Sequence, residues 1–407
     1  MTSVPAVPVD RWPDSLRLLL AEPARGLWSA VLGPLGGRLQ DLRPRSVSVQ
    51  PDGAATVQFS AGVVWSGGRE SRESLVAATG SRIPHGADVL ERSAAGRALR
   101  VGVWRWPSDP ALPGLAWAAS AREVGTRLAG LVPATGGPRL RLRSYRPGRR
   151  AVIEARYPDG PRYLKVVPPS AVDRLVARHE LLAGPVPAAP VLTATADGVL
   201  VLPGLPGTPL RALLSGEAGR LPSPEELERV LDALPSGMAT LTPRGRRAPA
   251  DGLVRAGSYA AVLGLVSPEL RPRLDVLTAA LAAADPGVHE PVPVHGDFYE
   301  SQLLVDDGAV VGLLDVDTAG CGHRIDDWAT LLAHLVLLEQ VLPDPAVAVR
   351  YAREIEDAVL RRWPAEQVRP RVAAVLLGLA TGPFRVQQPD WPALTSARLA
   401  LAEEWAG

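Results

Sequence analysis

PVPVHGDFYESQLLVDDGAVVGLLDVDTAGCGHRIDDWATLLAHL, residues 291–335, alternates short apolar runs with loops that carry acids. The run PVPV ends on His295-Gly296-Asp297. Leu303-Leu304-Val305 is a second short apolar run, Asp306-Asp307-Gly308 a turn, and the run Ala309–Leu314 ends on Asp315-Val316-Asp317. Short apolar runs bounded by turn residues predict strands. Carboxylates at strand tips stand on a rigid scaffold yet open onto a loop, which is how catalytic or metal-binding acids are presented.

Working backwards, residues 139–168 read as three consecutive antiparallel strands (RLRLRSY, AVIEARY, RYLKVV) joined by the tight turns RPGRR and PDGP. SAVDRLVARHELLAG, 170–184, predicts a helix opened by a Ser170–Asp173 capping box, with Val172, Leu175, Val176, His179 and Leu182 on one face and Gly184 as its stop. GVLVLPGLPGTPLRALL, 198–214, predicts a buried strand, a Pro/Gly hinge and a helix opened by Thr208 and Pro209. From Ser223 onward the pattern is mainly helical, clearest over 223–234, 346–363 and 368–380.

Residues 1–130 predict a separate small mixed α/β unit. SVSVQPDGAATVQFS, 46–60, alternates around a Pro-Asp-Gly turn as a hairpin does, ALRVGVWRW, 98–106, is strand-like, and Ser120 with Glu123 forms a capping box. LVPATGGP, 131–138, predicts a linker, and His85 sits on a polar turn. The expected division is 1–132 as a cap of unstated role, 139–206 as a small lobe and 207–407 as a helical lobe.

Composition bounds the rest. With 407 residues, 46% hydrophobic and 21% charged, the chain can bury a sizeable core. A net charge of +1 argues against a nucleic-acid binder working by bulk electrostatics. A single cysteine, Cys321, excludes a disulfide framework and a Cys-based zinc site. The opening residues lack the pattern of a signal peptide, and there is no apolar run of membrane-spanning length, so a cytoplasmic location and no membrane partner are expected. Asparagine is absent, and one lysine, Lys165, stands among 44 basic Lys and Arg residues. In so arginine-biased a chain, a surviving lysine can mark a position that needs a compact ammonium.

These motifs resemble those of the aminoglycoside phosphotransferase and choline-kinase-like enzymes, relatives of the protein kinases. The family pattern is His-Gly-Asp, an Asn in the same loop, an apolar strand ending in Asp, then Gly-x-Gly and a further Asp before a helix. Here His295-Gly296-Asp297, Gln302 at the Asn position, Asp315, Gly320-Cys321-Gly322 and Asp327 match it. Lys165 falls at the third-strand lysine, and Glu180 where the next helix offers a carboxylate. The likeness covers roughly 139–395 and implies a bilobal, protein-kinase-like α+β fold preceded by the small α/β domain. It further implies an ATP-dependent, Mg²⁺-assisted phosphotransferase acting on a hydroxyl of a sugar-like, antibiotic-like or small metabolite acceptor.

The resemblance implies roles residue by residue. Lys165 would reach the nucleotide phosphates, held by Glu180, and Arg149 in the RPGRR turn would help cover them. Asp297 would accept the substrate proton or orient the hydroxyl. Gln302 and Asp315 would give oxygens to Mg²⁺, with Asp317 either assisting or capping the turn. His295 and Asp327 would brace the loop. Gln302 departs from the pattern by one extra methylene, which leaves open a nucleotide-binding module without turnover. A metal-dependent hydrolase built on His295, Asp297, Asp315, Asp317 and His323 is the third possibility. Residues 324–407 hold eleven acids against nine arginines, so a polycationic acceptor is not specially indicated, and TGPFRVQQPDW, 381–391, is a candidate acceptor lining.

Overall fold

The structure, a computed structural model, describes residues 9–94, 97–132, 136–241 and 252–407. The predicted 131–138 linker lies partly outside them. The N-terminal unit opens with α1 (Asp14–Leu20) and α2 (Pro23–Leu32), followed by β1 (Gly37–Val49), β2 (Ala55–Trp65), β3 (Glu70–Thr79), β4 (Asp88–Ala94) and β5 (Arg97–Arg105). The strands form one antiparallel sheet ordered β1-β2-β3-β5-β4. The expected hairpin is β1–β2, whose register closes at Val49 opposite Ala55 around Pro51-Asp52-Gly53. Leu16, Leu19, Leu27 and Trp28 bury the apolar stripes of the helices against Val57, Phe59 and Val63 of β2.

Two short helices follow, α3 (Leu115–Ala118) and α4 (Ala121–Leu128), the latter capped by Ser120 accepting the Glu123 N–H as expected. They carry Leu115, Trp117, Val124 and Leu128 into a core shared with a second sheet. That sheet is built from β6 (Arg139–Arg146), β7 (Arg150–Tyr157), β8 (Gly160–Val166) and, after α5 (Val172–Leu182), β9 (Thr193–Ala194) and β10 (Val199–Pro203). Its order is β6-β7-β8-β10-β9, antiparallel throughout.

Strand alternation decides which side chains reach the cleft. Ile153, Ala155, Leu164, Val166, Val199 and Val201 point to the N-terminal unit and join its core. Lys165, paired in register with Val152 and Leu200, points the other way, where Leu200 packs with Val172 and Leu175 of α5. The small lobe is thus covered on its outer face by the first part of the chain.

Helix α5 begins differently from the sequence expectation. Pro168 and Pro169 start a 3₁₀ turn over Pro169–Ala171, so Ser170 lies inside that turn and the N-cap is Ala171, with no side-chain cap. Likewise Thr208 and Pro209 form a short strand, β11, before α6 (Leu210–Leu214) starts. Gly207, at φ +99°, lets this connection pass close to the strand Leu303–Asp306, since a Cβ there would lie 3.2 Å from backbone atoms of Val305.

The large lobe comprises α7 (Pro224–Asp232), α8 (Gly252–Val266), α9 (Arg271–Ala283), β12 (Val292–Val294), β13 (Leu303–Asp306), β14 (Ala309–Leu313), β15 (Gly320–Gly322), α10 (Arg324–Val341), α11 (Ala346–Arg362), α12 (Ala365–Ala380), α13 (Gly382–Arg385) and α14 (Trp391–Ala406). Leu231, Leu274, Phe298, Leu331, Ile355 and Leu376 belong to its single core. Pairing of Val294 with Gly320 and of Leu303 with Leu313 brings the loops carrying Asp297 and Asp315 side by side. No helix among the described residues is long and apolar enough to cross a membrane.

Candidate active site

The β8 lysine and the β14 carboxylates meet across the cleft. Lys165, 6% exposed, donates to Asp315 Oδ1 at 3.1 Å and also bonds Asp317 Oδ1. Arg150, first residue of β7, binds Asp315 with a two-pronged fork, Nη1 to Oδ1 at 2.9 Å and Nη2 to Oδ2 at 2.8 Å, and reaches Asp317 at 3.3 Å. Asp315 sits in the left-handed region at φ 51°, a conformation that costs a non-glycine residue energy and that aims its carboxylate into the cleft. Burial would raise its pKa, but the Lys165 ammonium and Arg150 guanidinium outweigh that and hold it well below the usual carboxylate range.

Asp297 faces the same cavity from the neighbouring loop. Burial, and then the Asp315 charge, push its pKa up to about 6, against the pull of Arg150, Arg146 and Arg255. A carboxylate in that range is mostly ionised at neutral pH and still basic enough to take a proton. The cavity, about 320 Å³, is lined by Arg146, Arg149, Arg150, Arg174 and Arg178 beside Asp297, Asp315 and Asp317. Such an excess of cations suits a polyanion.

The loop is braced from beneath. Buried Asp327 accepts the backbone N–H groups of His295 at 2.7 Å and Gly296 at 2.8 Å, and burial nonetheless lifts its pKa to about 7. His295, fully buried, donates from Nε2 to the Leu314 carbonyl at 2.9 Å, one residue before Asp315. Its pKa is lowered by burial, so it is a neutral strut. Gln302 is 7% exposed, and its backbone accepts from Leu314 N at 2.8 Å, a second tie between the two loops. Tyr299 stacks on His334 at 4.0 Å between ring centroids, and Arg211 pairs with buried Glu300 at 3.2 Å on the far side of the same loop.

One expected partnership is absent. Glu180 is exposed, because α5 turns Leu175, Arg178, His179 and Leu182 inward and rotates the next position after His179 to solvent. Lys165 takes its carboxylates from across the cleft instead. The inward residue the sequence reading missed is Arg178, whose Nε donates to the Ala319 carbonyl at 2.8 Å and ties α5 to the loop after Asp317. Arg150 was also passed over in favour of Arg149, which is exposed at the cavity rim. The signal for Arg150 lay in the strand period: Arg150 and Val152 share a face, and Val152 pairs with Lys165.

The donor set fits Mg²⁺. Asp315 and Asp317 offer hard carboxylate oxygens at one place, both against the Lys165 ammonium. Two protein carboxylates, with phosphates and water completing the shell, is how this ion is usually bound. No cluster of three or more His, Cys, Asp or Glu that could hold a metal occurs among the described residues.

The sequence model described as the phosphotransferase enzyme family matches residues 123–374. No curated protein matches the chain in a sequence search. Among solved structures, the apoenzyme of macrolide 2'-phosphotransferase MphH from Brachybacterium faecium is similar at 20% identity, covering 69% of this chain and 98% of its own, with a TM-score of 0.43. A thermostable mutant of aminoglycoside phosphotransferase APH(4)-Ia in its apo form is similar at 17% identity, covering 67% and 97%, with a TM-score of 0.48.

Proposed function

This chain belongs to the phosphotransferase enzyme family, and from that premise we propose that it transfers the γ-phosphoryl group of ATP to a hydroxyl of a small-molecule acceptor. The observation that carries this reading is the convergence of Arg150, Asp315, Asp317 and Asp297 on one arginine-lined cavity, with Lys165 bonded to both Asp315 and Asp317.

In this reading Asp297 receives the acceptor's hydroxyl proton as the new O–P bond forms and the bond from the γ-phosphorus to the β–γ bridging oxygen breaks, leaving ADP. Lys165 and Arg150 supply positive charge to the phosphates, with Arg149 and Arg146 at the rim. Bound magnesium, held by Asp315 and Asp317 with Gln302, would neutralise phosphate charge. Those carboxylates are gripped by Lys165 and Arg150. A triphosphate offers both cations a competing anion and so frees the oxygens. His295 and Asp327 act on the loop backbone, not on the substrate.

The test is incubation of the full chain with Mg-ATP and a panel of hydroxyl-bearing sugars, antibiotics and metabolites, read as ADP release. Turnover with at least one acceptor, abolished in Asp297→Ala, is the expected result. A folded protein that binds no Mg-nucleotide sinks the reading.

A further inference from the structure

The tip of the β6–β7 hairpin, which delivers Arg149 and Arg150 to the cavity, is held by a residue from outside both lobes. Asp109 lies in the loop between β5 and α3 and is 3% exposed. Its Oδ1 accepts the Ala111 N–H at 3.0 Å. Its Oδ2 accepts from two groups of the hairpin, the Tyr145 hydroxyl at 2.8 Å and the Gly148 N–H at 2.7 Å. The Tyr145 hydroxyl in turn accepts from Trp104 Nε1 at 3.1 Å, and its ring meets Trp106 edge-on at 4.9 Å. Gly148, at φ +70°, is the centre of the turn between paired Arg146 and Arg150.

We propose that Asp109 is a positioning residue for triphosphate binding: the N-terminal unit fixes the turn peptide so that Arg149 and Arg150 are already aimed at the cavity. The inference rests on the nucleotide reading above but concerns residues that reading does not use. A buried carboxylate accepting from three donors is a strong anchor. Gly148 spends its N–H on that anchor, so the turn presents side chains, not its central amide, to the cleft. Without the anchor, the Arg149 side chain and the turn peptide must be ordered by the ligand itself, which lowers affinity.

The test measures binding of Mg-AMP-PNP to the full chain by calorimetry, with hydrogen exchange over 146–150 and thermal stability in parallel. Asp109→Ala is expected to weaken binding about tenfold and to speed exchange at Gly148. Asp109→Asn is expected to recover most of the affinity, because its carbonyl can still accept the Gly148 N–H. Tyr145→Phe removes one donor, keeps the ring and gives a smaller loss, so it carries the test if Asp109→Ala does not fold. Unchanged affinity in folded Asp109→Ala, or in Tyr145→Phe with faster Gly148 exchange, overturns the proposal alone. Wild-type protein that binds no Mg-AMP-PNP overturns the nucleotide reading first.

Discussion

Arg150 holds Asp315 with both Nη nitrogens, at 2.9 and 2.8 Å, so a two-pronged ion pair joins the small lobe's hairpin to the acid just past the end of β14. Lysine at position 150 keeps the charge but not the fork. Arg150→Lys is therefore expected to raise KM for ATP about tenfold with a smaller change in kcat, since a planar two-bond contact is worth roughly 1.5–3 kcal/mol. Steady-state kinetics with ATP varied check it, and an unchanged KM removes Arg150 from the nucleotide site.

Lys165 and Glu180 separate cleanly. Lys165→Ala leaves Asp315 and Asp317 facing one cation fewer and removes the ammonium from the phosphates, so kcat/KM is expected to fall at least about a hundredfold. Glu180→Gln, on the solvent side of α5, is expected to stay within about twofold of wild type, as exposed substitutions usually do. Equal losses in the two variants contradict the arrangement.

Activity has a predictable pH limb. Asp297 works as a base only when ionised, and its pKa lies at about 6. The rate should therefore rise with pH through that value and level off above it. Below it, kcat/KM should fall close to tenfold per pH unit. A flat profile between pH 5 and 7 removes Asp297 from the proton transfer.

Asp327 produces the opposite dependence, in stability. Burial raises its carboxyl to about 7 in the folded protein, from roughly 3.9 in the unfolded chain. Its contribution is full below the unfolded value and is lost as pH rises through 7. Asp327→Asn should remove that falling limb from the curve of Tm against pH. The same variant should also be less stable by about 1–3 kcal/mol, because one of the two backbone N–H groups then meets an amide NH₂. A Tm profile of identical shape in both proteins contradicts the assignment.

Gln302 offers a test of reach. Its backbone is bonded to Leu314 and Tyr299, so Asn at this place withdraws the amide oxygen by about one bond length, ~1.5 Å, with no compensating loop shift. Gln302→Asn is expected to raise the Mg²⁺ concentration needed for half-maximal rate. A faster enzyme at lower Mg²⁺ means instead that the natural glutamine restrains turnover.

The helical lobe and the hairpins were legible because each rests on local pattern: Pro-Asp-Gly at 51–53, the Ser120 cap, the apolar runs ending on Asp297 and Asp315. Lys165 stood out because one lysine survived in an arginine-biased chain. The error at Glu180 came from placing a residue by position along a helix when its phase around the axis decides what it faces. Asp109 could not be read at all. Its meaning depends on a hydrogen bond to Gly148, 39 positions away, and no local pattern in a Pro-rich loop encodes such a distance.

The first unit also touches the other lobe. Trp12 donates from Nε1 to the Val266 carbonyl at 2.9 Å and meets Phe384 edge-on at 6.0 Å, while Val266 and Phe384 belong to the same core as Leu16 and Trp28. The first unit therefore packs against both jaws of the cleft, through the core it shares with the second sheet and through Trp12, Val266 and Phe384, so any swing of the jaws about 203–207 also breaks packing at a second place. The angle between the jaws is therefore fixed by two attachments, the 203–207 connection and the Trp12–Phe384 contact, and not by the connection alone.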